Sequence, residues 1–287
     1  MRTAKVITAR NLKIFFRDKG AVFFSLLAVF IILGLYLVIL GDVWTDGIAV
    51  IDDPQQLMNS WIIAGLLAVT SVTTTLGAFS VMVDDKVKKI SKDFYSAPIS
   101  RRAIAGGYVG SVFLVGIIMS LVTFILGEVF IVITGGEVLP LLSMIKIFGL
   151  IILTTFANTS IVFLIVTFIG SINAFSNISI VLGTLIGFLT GMYLPIGQLP
   201  EGVQFVMKCF PISYGAGLFR KVMLEEWIMT AFQDIPEQYS AQFQEEMGVV
   251  FRFGEHTITT YESIVILVIT TIVFFGLSVL SLSRKKK

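Results

Sequence analysis

The sequence predicts an all-α integral membrane protein with six transmembrane helices and both termini on the cytoplasmic side. Three observations predict it. The 287 residues are 56% hydrophobic and only 14% charged, with a mean hydropathy of +0.92, where a soluble domain carries about 25% charged residues. The apolar residues come in blocks of about 20, the length that crosses a hydrocarbon core of about 30 Å. The segments joining the blocks divide Lys and Arg unevenly. The 25 glycines agree with this class, because small residues let membrane helices approach closely.

In chain order the spans are expected at 23–40, 61–83, 104–134, 145–169, 178–194 and 263–282. The third is long enough to tilt or to extend past the membrane. The basic, then apolar, N-terminus resembles a signal peptide, but no small-residue cleavage site follows it, so the first helix is expected to stay uncleaved. With the N-terminus inside, 16 of the 21 basic residues fall on the cytoplasmic side. Five fall outside: Lys146, Lys208, Arg220, Lys221 and Arg252. The first outer loop holds Asp42, Asp46, Asp52 and Asp53 and no basic residue. Positive residues favour the cytoplasmic side, so both termini are assigned there.

Four parts lie outside the spans. Residues 1–22 read as an amphipathic interface helix, the alternative being the positive flank of the first span. At about 100° per residue Arg2, Arg10, Lys13 and Arg17 fall within about 80° of one another. Ile7, Leu12, Ile14, Phe15 and Phe16 take the other side, which is expected in lipid. Residues 84–97 carry Val87, Ile90 and Phe94 at i, i+3 and i+7, with Lys86, Lys89 and Asp93 elsewhere. That spacing predicts one short helix with an apolar docking face, ended by Pro98. Tyr95, Arg101 and Arg102 complete the candidate docking set. Residues 195–223 are apolar but broken by Pro195, Pro200 and Pro211, which suits two re-entrant helices at 201–210 and 213–223 better than a span. Residues 224–262 are polar and acidic with interspersed aromatics, which predicts a folded extracellular cap rather than a disordered loop.

The chemistry is sparse. No G-x-x-x-x-G-K-[ST] phosphate loop is present, so ATP hydrolysis by this chain is not expected. H-E-x-x-H and G-x-S-x-G are also missing, which removes the obvious protease and lipase sites. One cysteine, Cys209, and one histidine, His256, predict neither an intrachain disulfide nor a metal centre. Glu128 is the one acid inside a span, and its position about 36 Å along the third helix puts it near the outer surface. It reads as a solvated or paired interfacial acid, with a transport role as the alternative. Thr74, Asn158 and Thr159 are deep neutral polar residues. They read either as helix-packing groups or as a translocation path or dimer seam.

Two stretches carry a family resemblance. "DFYSAPISRRAIAGGY", a cytoplasmic helix followed by a Pro-x-Ser-Arg turn opening the third span, resembles the permease subunits of six-span ABC exporters. That class includes drug, lantibiotic-immunity and polysaccharide-export permeases. "GMYLPIGQLPEGVQFVMKCFPISYGAGLFRKVM" is similar to that family's signature before the last span, through Pro195, Leu199, Pro200, Pro211, Tyr214 and Arg220. The order of elements matches over the whole chain. Two departures are the length of the 224–262 segment and Cys209-Phe210-Pro211, where Asn before the proline is more familiar.

The resemblance implies a separate ABC ATPase subunit that binds ATP and Mg, with 84–97 as the coupling helix in its groove. It also implies a second permease subunit, identical or sister, and a non-catalytic role for this chain in the cell membrane. The expected function is outward transport of an amphiphilic or hydrophobic substrate by alternating access. No nucleic-acid partner is expected. The alternative is a secondary carrier, or a membrane scaffold sensing an extracellular ligand.

Overall fold

The computed structural model describes residues 2–36, 54–96 and 98–284. It is an all-α integral membrane fold. Two helices open the chain, α1 (Arg2–Arg17) and α2 (Lys19–Leu35). They meet at a 72° bend. Asp18 makes the break: its carboxylate accepts from the Ala21 backbone N–H at 3.0 Å and caps α2. Leu26, Val29 and Leu33 form the buried stripe of α2, while Phe23, Phe24 and Ile31 stay exposed. The rest of the span expected at 23–40, and the acidic loop after it, lie outside the described residues.

Helix α3 (Pro54–Val87) is the axis of the molecule. It packs against α2, α5, α6, α7 and α9. Most of its apolar length is buried, including Trp61, Ile63, Leu67 and Phe79. Phe79 stacks on Phe163 at 5.8 Å. A short helix α4 (Ile90–Ser96) follows, then α5 (Arg101–Ile133), α6 (Leu141–Phe168) and α7 (Ile172–Leu189). Ser100 and Ser171 cap α5 and α7 by accepting from Ala103 N–H and Ala174 N–H, each at 3.2 Å. α3, α5, α6, α7 and α11 (Thr260–Arg284) are long and apolar enough to cross a membrane.

The prolines set the next segment. Pro195 precedes a single turn at Ile196–Gln198, Pro200 precedes α8 (Glu201–Cys209), and Pro211 opens α9 (Pro211–Ala231). Proline suits a first helical turn because its missing N–H would have no partner there. α9 runs eight residues past the 223 expected from the sequence. α10 (Glu237–Glu246) follows, and then a two-residue antiparallel pair, β1 (Arg252–Phe253) with β2 (His256–Thr257). Phe232 meets Phe243 at 5.3 Å and Tyr214 meets Phe251 at 5.4 Å, so the interspersed aromatics hold this region together.

α7 and α11 keep most of their apolar surface outward, with Ile180 and Ile272 about two-thirds exposed (68% and 66%). In a bilayer those faces meet hydrocarbon, the environment their composition suits.

Candidate functional site

The Asp85 end of α3 gathers the residues that the sequence scattered. α1 lies along α5. Ile7 packs on Gly107 so closely that a Cβ there would sit 2.6 Å from the Ile7 side chain. Thr8 donates to the Gly107 carbonyl at 3.1 Å, and the Asn11 amide donates to the Ser111 hydroxyl at 3.3 Å. Part of the apolar side of α1, expected in lipid, is turned onto protein: Ile7 and Phe15 are buried, while Ile14 and Phe16 stay exposed. A glycine on α5 leaves room for it, and burial against a packed helix satisfies that face as well as lipid does.

The sequence groups Arg10 with Lys13 and Arg17 as interface cations. The structure separates them. Lys13 and Arg17 are exposed, whereas Arg10 grips Asp85 through Nη1–Oδ2 at 2.6 Å and Nη2–Oδ1 at 2.9 Å. Asp85 is only 4% exposed. The Tyr108 hydroxyl also donates to Asp85, at 2.6 Å. A planar guanidinium matches a carboxylate on two prongs. These bonds raise the Arg10 pKa above its ordinary value, so it stays charged. Arg10 also lies over the Phe94 ring, its guanidinium carbon 5.5 Å from the ring centroid, a cation–π distance.

The expected single helix over 84–95 is broken. α3 runs on to Val87, and Lys89 takes a left-handed φ of 63° before α4 starts at Ile90. The i, i+3, i+7 stripe therefore does not form one face. Val87 is exposed and Ile90 half-buried. Phe94 points inward and packs with Ile7, Ile104 and Tyr108. Tyr95 lies on α4, and Arg101 and Arg102 are exposed at the start of α5. Lys88 pairs with Asp84 at 3.0 Å, and Lys86 donates to the Ile169 carbonyl at the end of α6. Arg10, Asp85, Tyr108 and Phe94 thus bring α1, α3, α5 and α4 to one cluster.

The deep polar residues are inside the bundle of this one chain. Asn158 donates to the Ser71 hydroxyl at 2.5 Å, joining α6 to α3. Thr123 donates to the Thr70 hydroxyl at 3.3 Å, joining α5 to α3. Thr74 returns its proton to the Thr70 carbonyl at 2.7 Å. Thr74 and Thr159 are both fully buried. Asn158 thus joins two helices, Thr74 bonds only within its own helix, and the Thr159 hydroxyl has no hydrogen-bond partner among the described residues. Glu128 is 8% exposed rather than solvated. One of its oxygens accepts from the Leu139 N–H at 3.0 Å, and the other has no hydrogen-bond partner among the described residues.

The Trp61 end of α3 holds a second polar cluster. Arg220, counted from the sequence among the basic residues outside the membrane, is 1% exposed. Its guanidinium carbon lies 4.5 Å from the Trp61 ring, and Nη2 donates to the Gly191 carbonyl at 3.0 Å. The Trp61 indole N–H donates to the Met247 carbonyl at 2.8 Å. Sequence reasoning missed Asp85, Tyr108 and Trp61. An acid at the end of an apolar helix is the one signal that marks Asp85. Nothing local marks Trp61.

Among the described residues, no group of three or more His, Cys, Asp or Glu side chains is placed to hold a metal ion. What the Asp85 cluster can do is mechanical: it binds a short connecting helix to three longer ones through one buried carboxylate. No curated protein matches the chain. The ABC-2 type transporter family matches it over residues 2–224, from α1 into α9, which takes in the Asp85 cluster and Trp61, Gly191 and Arg220 of the second cluster but not Met247. The chain belongs to the ABC-2 type transporter family, as a multi-pass membrane permease subunit.

Proposed function

We propose that this permease is the membrane part of an ATP-driven exporter, with both termini in the cytoplasm of a bacterial-type cell. A separate ABC ATPase, the usual partner in this family, binds ATP and Mg and docks on the connection between α3 and α5. Two permease chains and two ATPases form the working unit. ATP closes the ATPases, and the push enters at Val87, Ile90 and the exposed Lys88, Lys89, Arg101 and Arg102. The spans then shift from inward to outward access and release an amphiphilic cargo near α8, α9 and the extracellular residues 224–262.

The Arg10–Asp85–Tyr108–Phe94 cluster carries this proposal. A short seven-residue helix has little stability alone. Here Phe94 is packed on α1 and α5 and lies under Arg10, which is itself held by α3. A force on α4 is therefore delivered to three long helices rather than absorbed by a loop.

Purification of the tagged chain from its native membrane tests the proposal. A protein with a Walker phosphate loop should copurify, and the chain alone should hydrolyse no ATP. ATP hydrolysis by the isolated chain would assign the energy source wrongly.

A further inference from the structure

Arg220 is a full charge buried with no acid in ion-pair distance among the described residues. Burying an unpaired charge is costly. Its Nε has no hydrogen-bond partner among the described residues, and an aromatic face and a backbone carbonyl stand where a carboxylate would be expected. The Trp61 face lies 4.5 Å from the guanidinium carbon. Arginine tolerates this better than lysine, being planar and more weakly hydrated. The Gly191 carbonyl accepts from Nη2. Gly191 and Gly248 have φ of 63° and 66°, and a Cβ on them would stand 3.4 and 3.1 Å from Nη1. A side chain at either place would be strained in its backbone and would crowd the guanidinium.

Four parts of the chain meet here: α3 through Trp61, the turn after α7 through Gly191, α9 through Arg220 itself, and the end of α10 through Met247 and Gly248. Trp61 ties directly to the last of these by its bond to the Met247 carbonyl. The other end of the same unbroken helix carries Asp85, about 36 Å away at about 1.5 Å per residue. Helix α3 is thus a single 34-residue rod, bonded at one end to α1, α5 and, through Arg10, to Phe94 of α4, and at the other to the turn, α9 and the end of α10.

We propose that Arg220 is a positioning residue that pins the far end of α3 to the exit segment and to the 224–262 region, so that movement entering at Asp85 arrives there. This rests on the Asp85 end being where force enters the permease. A packed helix passes a displacement on through the groups bonded at its far end; Gln56 and Asn59 bond there to Glu137 and Thr134, and Arg220 with Trp61 is the link to α9 and the end of α10.

Cys209, the chain's single cysteine, is exposed on α8 and reports on the far end. The full chain in lipid nanodiscs is labelled with a maleimide, with and without Asp85→Asn at the near end. Asp85→Asn should change the Cys209 labelling rate by at least about twofold, the low end of coupling through packed networks. In an Arg220→Lys background, which keeps the charge and loses the stacked fork, that response should vanish. Trp61→Phe, which removes only the indole N–H and part of the ring, should reduce the response and serves where Arg220→Lys does not fold. An Asp85→Asn response equal in all backgrounds overturns the pin. No response in the wild-type background overturns it as well. No ATPase is in the assay, so the result stands or falls separately from the energy source.

Discussion

Arg10 and Asp85 stand 75 residues apart in the chain and meet through two hydrogen bonds of 2.6 and 2.9 Å. Arg10→Ala leaves a buried carboxylate with Tyr108 alone. Hydrogen bonds to charged groups contribute about 1.5–3 kcal/mol, and a loss of that size should appear as a lower Tm in detergent. The Arg10→Ala/Asp85→Asn double variant should lose less than the sum of the single variants, because both remove the same pair. Additive losses would show that the two residues act independently.

Gly107 sets how closely α1 lies on α5. Gly107→Leu drives a side chain into Ile7, and overpacking of this kind costs about 1–3 kcal/mol. The expected outcome is a lower Tm and faster protease cleavage within residues 2–17. Ile7→Ala should restore part of the protection by vacating the space.

Asn158 and Ser71 are expected to matter for packing and little for cargo choice. Interhelical hydrogen bonds in membranes contribute about 0.6 kcal/mol on average. Asn158→Leu should therefore shift Tm by a few degrees at most and leave the spectrum of exported compounds unchanged. A changed spectrum would return this residue to the translocation path.

Glu128→Gln keeps an acceptor for the Leu139 N–H and removes any charge. It should unfold at nearly the wild-type temperature. Glu128→Leu should fall below both, since the buried amide loses its partner at about 1–3 kcal/mol. A Glu128→Gln variant that folds normally and fails to transport would give this acid a role in moving cargo.

The spans were legible because membrane helices need long apolar runs, and among the described residues the five runs after the first each became one helix. The proline-broken segment was legible for a similar reason: Pro195, Pro200 and Pro211 each stand where an element starts. The apolar triplet at 87, 90 and 94 misled because periodicity assumes an unbroken helix, and the left-handed turn at Lys89 rotates Phe94 away from Val87. No local pattern could pair Arg10 with Asp85, whose contact depends on how α1 packs across α5. The burial of Arg220, counted from the sequence on the outer side, was not legible for the same reason. Its burial is produced by Trp61 and two glycine turns from distant parts of the chain.

Everything in this mechanism depends on an ATPase docked on the connection between α3 and α5. The most direct measurement is the amount of Walker-motif ATPase that remains on the purified chain when Val87 and Ile90 both become Asp. Each apolar side chain buried at an interface contributes about 1.5–3 kcal/mol, so the retained ATPase should fall by about tenfold or more. The chain itself should keep its Tm. Phe94→Ala, by contrast, should lower Tm, because Phe94 packs against Ile7, Ile104 and Tyr108. Undiminished ATPase on the Val87→Asp/Ile90→Asp variant would contradict the account.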